Sequence, residues 1–330
     1  MYQTRVDRRN LLRVSLIAAL VVALLVSGFL LLKKWEDGHG QFEGWTAEDE
    51  VVEYNGKQYV LKDNVETFLV LGLDKFEEDG ALDSYNNDHQ ADFLMLLVFD
   101  NDAQTCTAIH INRDTMASVD VLGVAGQRVD TVTKQIALAH TYGNGKEVSC
   151  RNTANAVSKL LRNVEVDHYA SVTMEAVSIY NDMLGGVTLE VLDDFSGVDD
   201  SLVKGEIVTL KGDTTMTYIR ARDGMADPTN VARMKRQKQY MAALYDQTKV
   251  AVADDEGLIA RAAAAVSGYM VSDCSGNRLE ELLNRLTRYE LGGILEIDGK
   301  SVKGDQYMEF YPDEAALMKI VIDCFYREKN

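Results

Sequence analysis

Two stretches decide the fold: ADFLMLLVFD at residues 91–100 and TCTAIHINRD at residues 105–114. Each is a run of core-type side chains closed by a charge, the pattern of a strand buried on both faces. ETFLVLGLD, residues 66–74, has the same form, and the polar KFEEDGALDSYNNDHQ (75–90) links it to the next run as a loop.

Downstream, VTKQIALAHTYG (132–143) and CRNTANAVSKLLRNV (150–164) carry the three-to-four spacing of two helices, with Asn152-Thr153 as a cap for the second. Residues 167–194, DHYASVTMEAVSIYNDMLGGVTLEVLDD, predict a strand, a helix stopped by Gly185-Gly186 and another strand. A turn then leads into TTMTYIRARD (214–223), a loop carrying Pro228 and the helix VARMKRQKQYMAALYDQTKVAVA (231–253). The tail adds a helix, a hairpin within 289–312 and an amphipathic helix at 313–326. Strands interleaved with helices give an α/β layered domain: a central mixed β-sheet flanked by helices.

The N-terminus differs. VSLIAALVVALLVSGFLLL, residues 14–32, runs without a charge; as a helix it is about 28 Å long, enough to cross a bilayer. It ends in Lys33-Lys34 without a small-x-small cleavage pattern, so it reads as an uncleaved anchor. Arg5, Arg8, Arg9 and Arg13 precede it, placing residues 1–13 in the cytoplasm and the body outside the cell. Residues 33–63 read as a juxtamembrane linker, 64–248 as the main domain and 249–330 as a C-terminal α/β extension.

Residues 1–34 hold six basic groups and one acid, net +5; against −18 for the whole chain, the rest carries −23. So acidic a body excludes binding nucleic acid through its general field, and any anion site must be local. Cys106, Cys150, Cys274 and Cys324 all lie on the external side, where disulfides persist. Cys106–Cys150 and Cys274–Cys324 are the expected pairs, against the alternative of four unpaired core thiols. No CxxC or Cys/His spacing points to zinc, and the five histidines read as core or surface residues.

The strongest local signal is a charge inversion. Between Arg220 and Lys238 stand six basic residues (Arg220, Arg222, Arg233, Lys235, Arg236, Lys238) against Asp223 and Asp227. If TTMTYIRARD is extended, Arg220 and Arg222 share a face; on the following helix Arg233 and Gln237 do so, four apart. Converging guanidinium forks suit phosphate or pyrophosphate, although the same residues could simply form surface pairs worth about 0–1 kcal/mol each. Asp74 and Asp92 mark strand ends, where loops collect ligands, and two carboxylates beside a diphosphate are the donors Mg2+ prefers; turn acids are the plainer reading. Arg113-Asp114 at the end of TCTAIHINRD is a surface pair or an arginine aimed at an anion. GxSxG, HExxH and Walker-type loops are absent.

In order and spacing, FLVLGLD, ADFLMLLVFD, INRDTM, QIALAHTYG, MLGGVTLEV, VTLKGDTTMTYIRARD and RMKRQKQYM resemble the extracellular domain of the LytR-CpsA-Psr family over residues 64–248. The resemblance implies a membrane-anchored phosphotransferase that moves a glycopolymer, such as teichoic acid or capsule, from an undecaprenyl-pyrophosphate carrier to peptidoglycan. It implies an apolar tunnel for the polyprenyl chain and a charged mouth for the pyrophosphate. Asp74 and Asp92 match the acids associated with Mg2+, for which Mn2+ can substitute, and Arg113 matches the family's RDT arginine. Arg220, Arg222, Arg233 and Gln237 match its other pyrophosphate-site residues. The chain departs at Gln90-Ala91-Asp92-Phe93, where the family commonly has Arg-Ser-Asp-Thr, at Asn112 in place of proline, and at Gln135, where a lysine aligns. Two other readings stay open: a non-catalytic binder of polyprenyl pyrophosphate, and a simple lipid pyrophosphatase.

Overall fold

The computed structural model describes residues 51–75 and 89–329, all within one compact unit. The expected cytoplasmic segment 1–13 and span 14–32 lie outside the described residues, among which no helix is long and apolar enough to cross a membrane.

Strands β1 (Val52–Tyr54) and β2 (Lys57–Leu61) form a hairpin through Asn55 and Gly56, both at positive φ, the turn chemistry that matches strand twist. The linker expected to run to residue 63 is therefore already strand from Val52. Next come β3 (Val65–Leu73), β4 (Phe93–Asp100) and β5 (Thr105–Ile111), the three buried runs of the sequence. A second hairpin follows, β6 (Met116–Leu122) and β7 (Arg128–Gln135).

Residues 132–143 are not the helix expected. The strand runs through Gln135, and Ile136–Thr141 makes only a short 3-10 turn. Ile136 N donates to Thr115 O (2.7 Å) and Ala137 N to Arg113 O (3.1 Å), so tertiary contacts with the Arg113 turn take the place of helical bonds. Helix α1 (Glu147–Leu160) starts before Asn152. Instead of capping it, Asn152 is buried and donates to Ala139 O (2.8 Å) and Asp120 O (3.0 Å).

β8 (His168–Thr173) and α2 (Met174–Met183) come next; Gly185 and Gly186 end α2 with positive φ, followed by β9 (Val187–Glu190) and β10 (Ile207–Leu210). TTMTYIRARD, read as extended, is mostly helix α3 (Asp213–Arg220). Its buried Thr215, Tyr218 and Ile219 stand three and four apart, Asp213 lies in the first turn and Arg220 in the last, so packing and the helix dipole override the β-prone composition. Helix α4 (Asn230–Asp254) opens with Thr229 accepting from Ala232 N.

The remainder comprises α5 (Leu258–Val266), β11 (Met270–Ser272), α6 (Gly276–Arg288), β12 (Glu290–Glu296), β13 (Gly299–Lys303), β14 (Met308–Pro312), α7 (Glu314–Phe325) and β15 (Tyr326–Glu328). The expected tail hairpin is only β13–β14, because β12 pairs in parallel with β5. The central sheet has the order β11-β8-β3-β4-β5-β12, with β4 and β11 antiparallel to the rest. The sheet is thus mixed and flanked by helices, as the sequence indicated.

Strand alternation splits the interior. Leu69, Leu71, Leu94, Leu96 and Ile109 face a core with α1, α7 and the β6 strand. Phe68, Phe99 and Ala170 face α6 through Leu279 and Leu282. Cys106 belongs to this second core and Cys274 packs against it, whereas Cys150 and Cys324 belong to the first. Each expected disulfide would join thiols across the sheet; the four cysteines are free.

Candidate active site

Because β4 runs opposite to β3 and β5, the end of β3, the start of β4 and the end of β5 meet at one end of the central strands. Asp74, Asp92 and Arg113 occupy those ends. The approach is close: Asp92 N donates to Gly72 O (2.8 Å), and a Cβ on Gly72 would sit 2.8 Å from that of Phe93, so only glycine fits.

A cavity of about 330 Å³ lies between the second face of the sheet and helices α2, α4, α5 and α6. Phe68, Val70, Phe93, Met95 and Leu97 line its floor, and Leu279, Leu282, Leu283 and Leu286 one wall. From α4, Arg233, Gln237, Tyr240, Met241, Leu244, Tyr245 and Thr248 face it at helical spacing, confirming that Arg233 and Gln237 share a face. The charged lining residues are Asp74, Asp92, Arg220 and Arg233.

These charges are cross-linked. Arg220 Nη2 donates to Asp74 Oδ1 (2.6 Å), an exposed pair. Arg113, largely buried behind the mouth, pairs through Nη1 with Asp92 Oδ1, donates through Nη2 to Gln90 Oε1, and holds Nε 3.6 Å from Asp114 Oδ1. Arg233 Nη2 donates to Asn230 Oδ1 (2.7 Å) and to Asp92 O (3.3 Å). Nε of Arg113 and of Arg233 are buried donors without a hydrogen-bond partner. Gln237 Nε2 donates to Ile219 O (3.2 Å), steadying the turn that carries Arg220.

Arg222 stands apart: it is exposed in the turn after α3, and its charge is felt at Arg113, Asp114 and Arg233. Burial lowers the Arg233 guanidinium to about 10, helped by repulsion from Arg113 and Arg222, so it stays charged at neutral pH. Burial likewise lowers Arg113, opposed by Asp114 and Asp74, and pushes the Asp114 carboxyl up against the pull of Arg113 and Arg233. The positive potential is therefore concentrated in a partly desolvated spot, where it acts more strongly than in water.

Asn230 is not singled out by the sequence, and Asn112 and Gln135 stand there only as departures from the family pattern. Asn230 Nδ2 donates to Asn112 Oδ1 (2.8 Å), which also accepts from Asp114 N (2.9 Å), so α4 is tied to the Arg113 turn. Gln135 Nε2 donates to Asp114 Oδ1 (3.1 Å) and to Met308 O (2.7 Å), giving the lysine-to-glutamine departure a structural use. Arg236, counted in the basic cluster, is wholly buried: Nε donates to Tyr218 O (2.8 Å), Nη2 to Ala221 O, and Nη1 pairs with Asp193 (2.6 Å). These contacts hold the end of α3 in place.

The LytR_cpsA_psr family model matches residues 38–316. The chain belongs to that family. Among curated relatives, a polyisoprenyl-teichoic acid–peptidoglycan teichoic acid transferase TagU of Bacillus subtilis is 28% identical over 180 residues, covering 54% of this chain and 51% of its own length. The TagU of Halalkalibacterium halodurans is 27% identical over 184 residues, 55% and 53% of the two chains. The LytR_cpsA_psr chain described here thus spans about half the length of these relatives. Among solved structures, Bacillus subtilis TagV aligns with a TM-score of 0.61 at 20% identity, over 80% of this chain and 97% of that one. TagT bound to LIIa-WTA aligns at 0.59 and 18%, over 86% and 98%. The fold of this LytR_cpsA_psr member is that of these proteins.

Proposed function

We propose that this protein is a membrane-anchored, extracytoplasmic phosphotransferase that moves a glycopolymer from an undecaprenyl-pyrophosphate carrier to peptidoglycan. The observation that carries the reading is the cavity: an apolar chamber whose charged lining is confined to Asp74, Asp92, Arg220 and Arg233. A polyprenyl tail matches the chamber, since each buried CH2 contributes about 0.8 kcal/mol, and its pyrophosphate would then lie among the arginines. The TagU relatives are named for transfer of teichoic acid to peptidoglycan, which supports the donor and acceptor classes. Residues 14–32 would hold the site at the membrane face where such lipids reside.

In this reading the acceptor sugar hydroxyl attacks the phosphorus next to the glycopolymer. The P–O bond to the bridging oxygen breaks, the polyprenyl phosphate leaves with that oxygen, and the hydroxyl proton passes to Asp74 or Asp92. Arg113, Arg220, Arg222 and Arg233 neutralise the phosphate oxygens, the buried Nε donors of Arg113 and Arg233 being ready for an anion. Gln237 orients the Arg220 turn. Asp74 and Asp92 offer the hard oxygen donors that Mg2+ takes alongside phosphate. Bound there, Mg2+ or Mn2+ would supply further charge neutralisation to the diphosphate.

The experiment is transfer from a polyprenyl-pyrophosphate glycan to a peptidoglycan acceptor by the full chain, with and without chelator. Product on the acceptor, lost on chelation and restored by Mg2+, is expected. Phosphate release to water alone would make the protein a pyrophosphatase, and tight lipid binding without turnover would make it a non-catalytic binder.

A further inference from the structure

At the opposite end of the strands from Asp74 and Asp92, the start of β8 meets the loop between β11 and α6. There His168, Asp273 and Cys274 bring one nitrogen, one oxygen and one sulfur within 4.8 Å of one another. The two regions are separated along β3, on which His168 pairs with Phe68 and Asp74 follows six residues later, about 20 Å at roughly 3.3 Å per residue.

His168 is held like a metal ligand. Its Nδ1 lies 3.8 Å from Asp273 Oδ1, while its Nε2 lies 3.4 Å from Glu66 Oε1. A carboxylate on the far ring nitrogen fixes the tautomer and leaves the near nitrogen free to coordinate. Glu66 is in turn fixed by Arg278 and Arg285, the latter at 2.6 Å. The other two ligands also sit on a braced segment: Tyr169 N donates to Asp273 Oδ1 (3.0 Å), Ser272 Oγ to Tyr169 O (2.6 Å) and Cys274 N to Ser272 Oγ (3.1 Å).

We propose that His168 Nδ1, the Asp273 carboxylate and the Cys274 sulfur form a binding site for a thiophilic divalent cation, Zn2+ by ligand type. Ligands about 2.0–2.3 Å from a tetrahedral ion stand roughly 3.3–3.8 Å apart, so the His168–Asp273 separation already fits and the sulfur closes in by a side-chain rotation. As the metal–sulfur bond forms, the thiol proton leaves to solvent; water fills the fourth position. Imidazole, thiolate and carboxylate together select against Mg2+, which takes oxygen. The residues are partly open to solvent, so an ion can reach them. Bound there, it would tie the sheet to the segment leading into α6, whose Leu279, Leu282, Leu283 and Leu286 wall the cavity. The ion would brace that wall.

The test is titration of the metal-free full chain with Co2+, followed by its absorption. The expected result is a near-ultraviolet thiolate-to-cobalt band that saturates at one ion per chain, is displaced by Zn2+ and persists in an Asp74→Asn/Asp92→Asn variant. Cys274→Ser, checked for folding by circular dichroism, should lose the band, and His168→Ala should bind Co2+ about 100-fold more weakly. Absence of the band in the wild-type chain at one equivalent, or its survival in folded Cys274→Ser, overturns the proposal. The wild-type titration decides by itself if the variant does not fold.

Discussion

Arg113 and Asp92 form an ion pair across the adjoining ends of β5 and β4, with Gln90 accepting from the same guanidinium. The pair fixes the guanidinium against Asp92, which lines the cavity. Replacing Arg113 by Ala should lower transfer by about 100- to 1,000-fold, the range for losing one preorganised donor to developing charge. Arg113→Lys should restore only part of this, since it returns the charge without the fork. Single-turnover assays with the lipid-linked glycan check both.

Arg236 is the opposite case, a basic residue from the same cluster that supports the fold. Removing it as Arg236→Met leaves Asp193 and the carbonyls of Tyr218 and Ala221 without their donor. We expect a loss of about 3 kcal/mol, the low end for breaking a buried pair, read by denaturant unfolding.

Ala263 lines the cavity on α5. Ala263→Trp should place an indole in the chamber and reduce polyprenyl-phosphate binding at least about tenfold. Binding of inorganic pyrophosphate should be unchanged, and the melting temperature nearly so, because the cavity accommodates most of the added volume that a packed core would resist.

His110 is buried against Phe93, and burial lowers its imidazole to about 3; His140 is lowered to about 4 for the same reason. Both are neutral when folded and bind protons near 6.5 when unfolded, so their contribution is complete above that pH. It is lost as pH falls from 6.5 through 4 and 3, with a slope of up to about 1.4 kcal/mol per unit for each histidine. His110→Leu should keep the fold, because Nδ1 has no hydrogen-bond partner, and remove one proton from the acid dependence of stability. Unfolding measured across that range tests this.

The strands that build the site were legible because each is a continuous apolar run bounded by its functional charge, Asp74 and Arg113 after β3 and β5 and Asp92 before β4. Arg233 and Gln237 were legible because α4 is long and its period plain. TTMTYIRARD misled because Thr, Tyr and Ile favour strands in isolation, whereas Tyr218 and Ile219 find their burial on a helix. The paired cysteines misled because spacing along the chain says nothing about which face of a sheet a side chain takes. The links from Asn230 to Asn112 and from His168 to Asp273 and Cys274 join residues more than 100 positions apart, where no local pattern reports them.

The parallel pairing of β12 with β5 spans 185 residues, from Glu290 back to Thr105. The segment that makes this pairing also supplies α5 and α6, two walls of the cavity, while the charged mouth is assembled from residues 74–237. During synthesis from the N-terminus, the mouth's residues therefore emerge well before the chamber can close. Long-range pairing of this kind is slow to form, so a half-made chain carries an apolar groove whose missing wall is still to come, and any apolar molecule at hand can occupy it before the protein's own helices do.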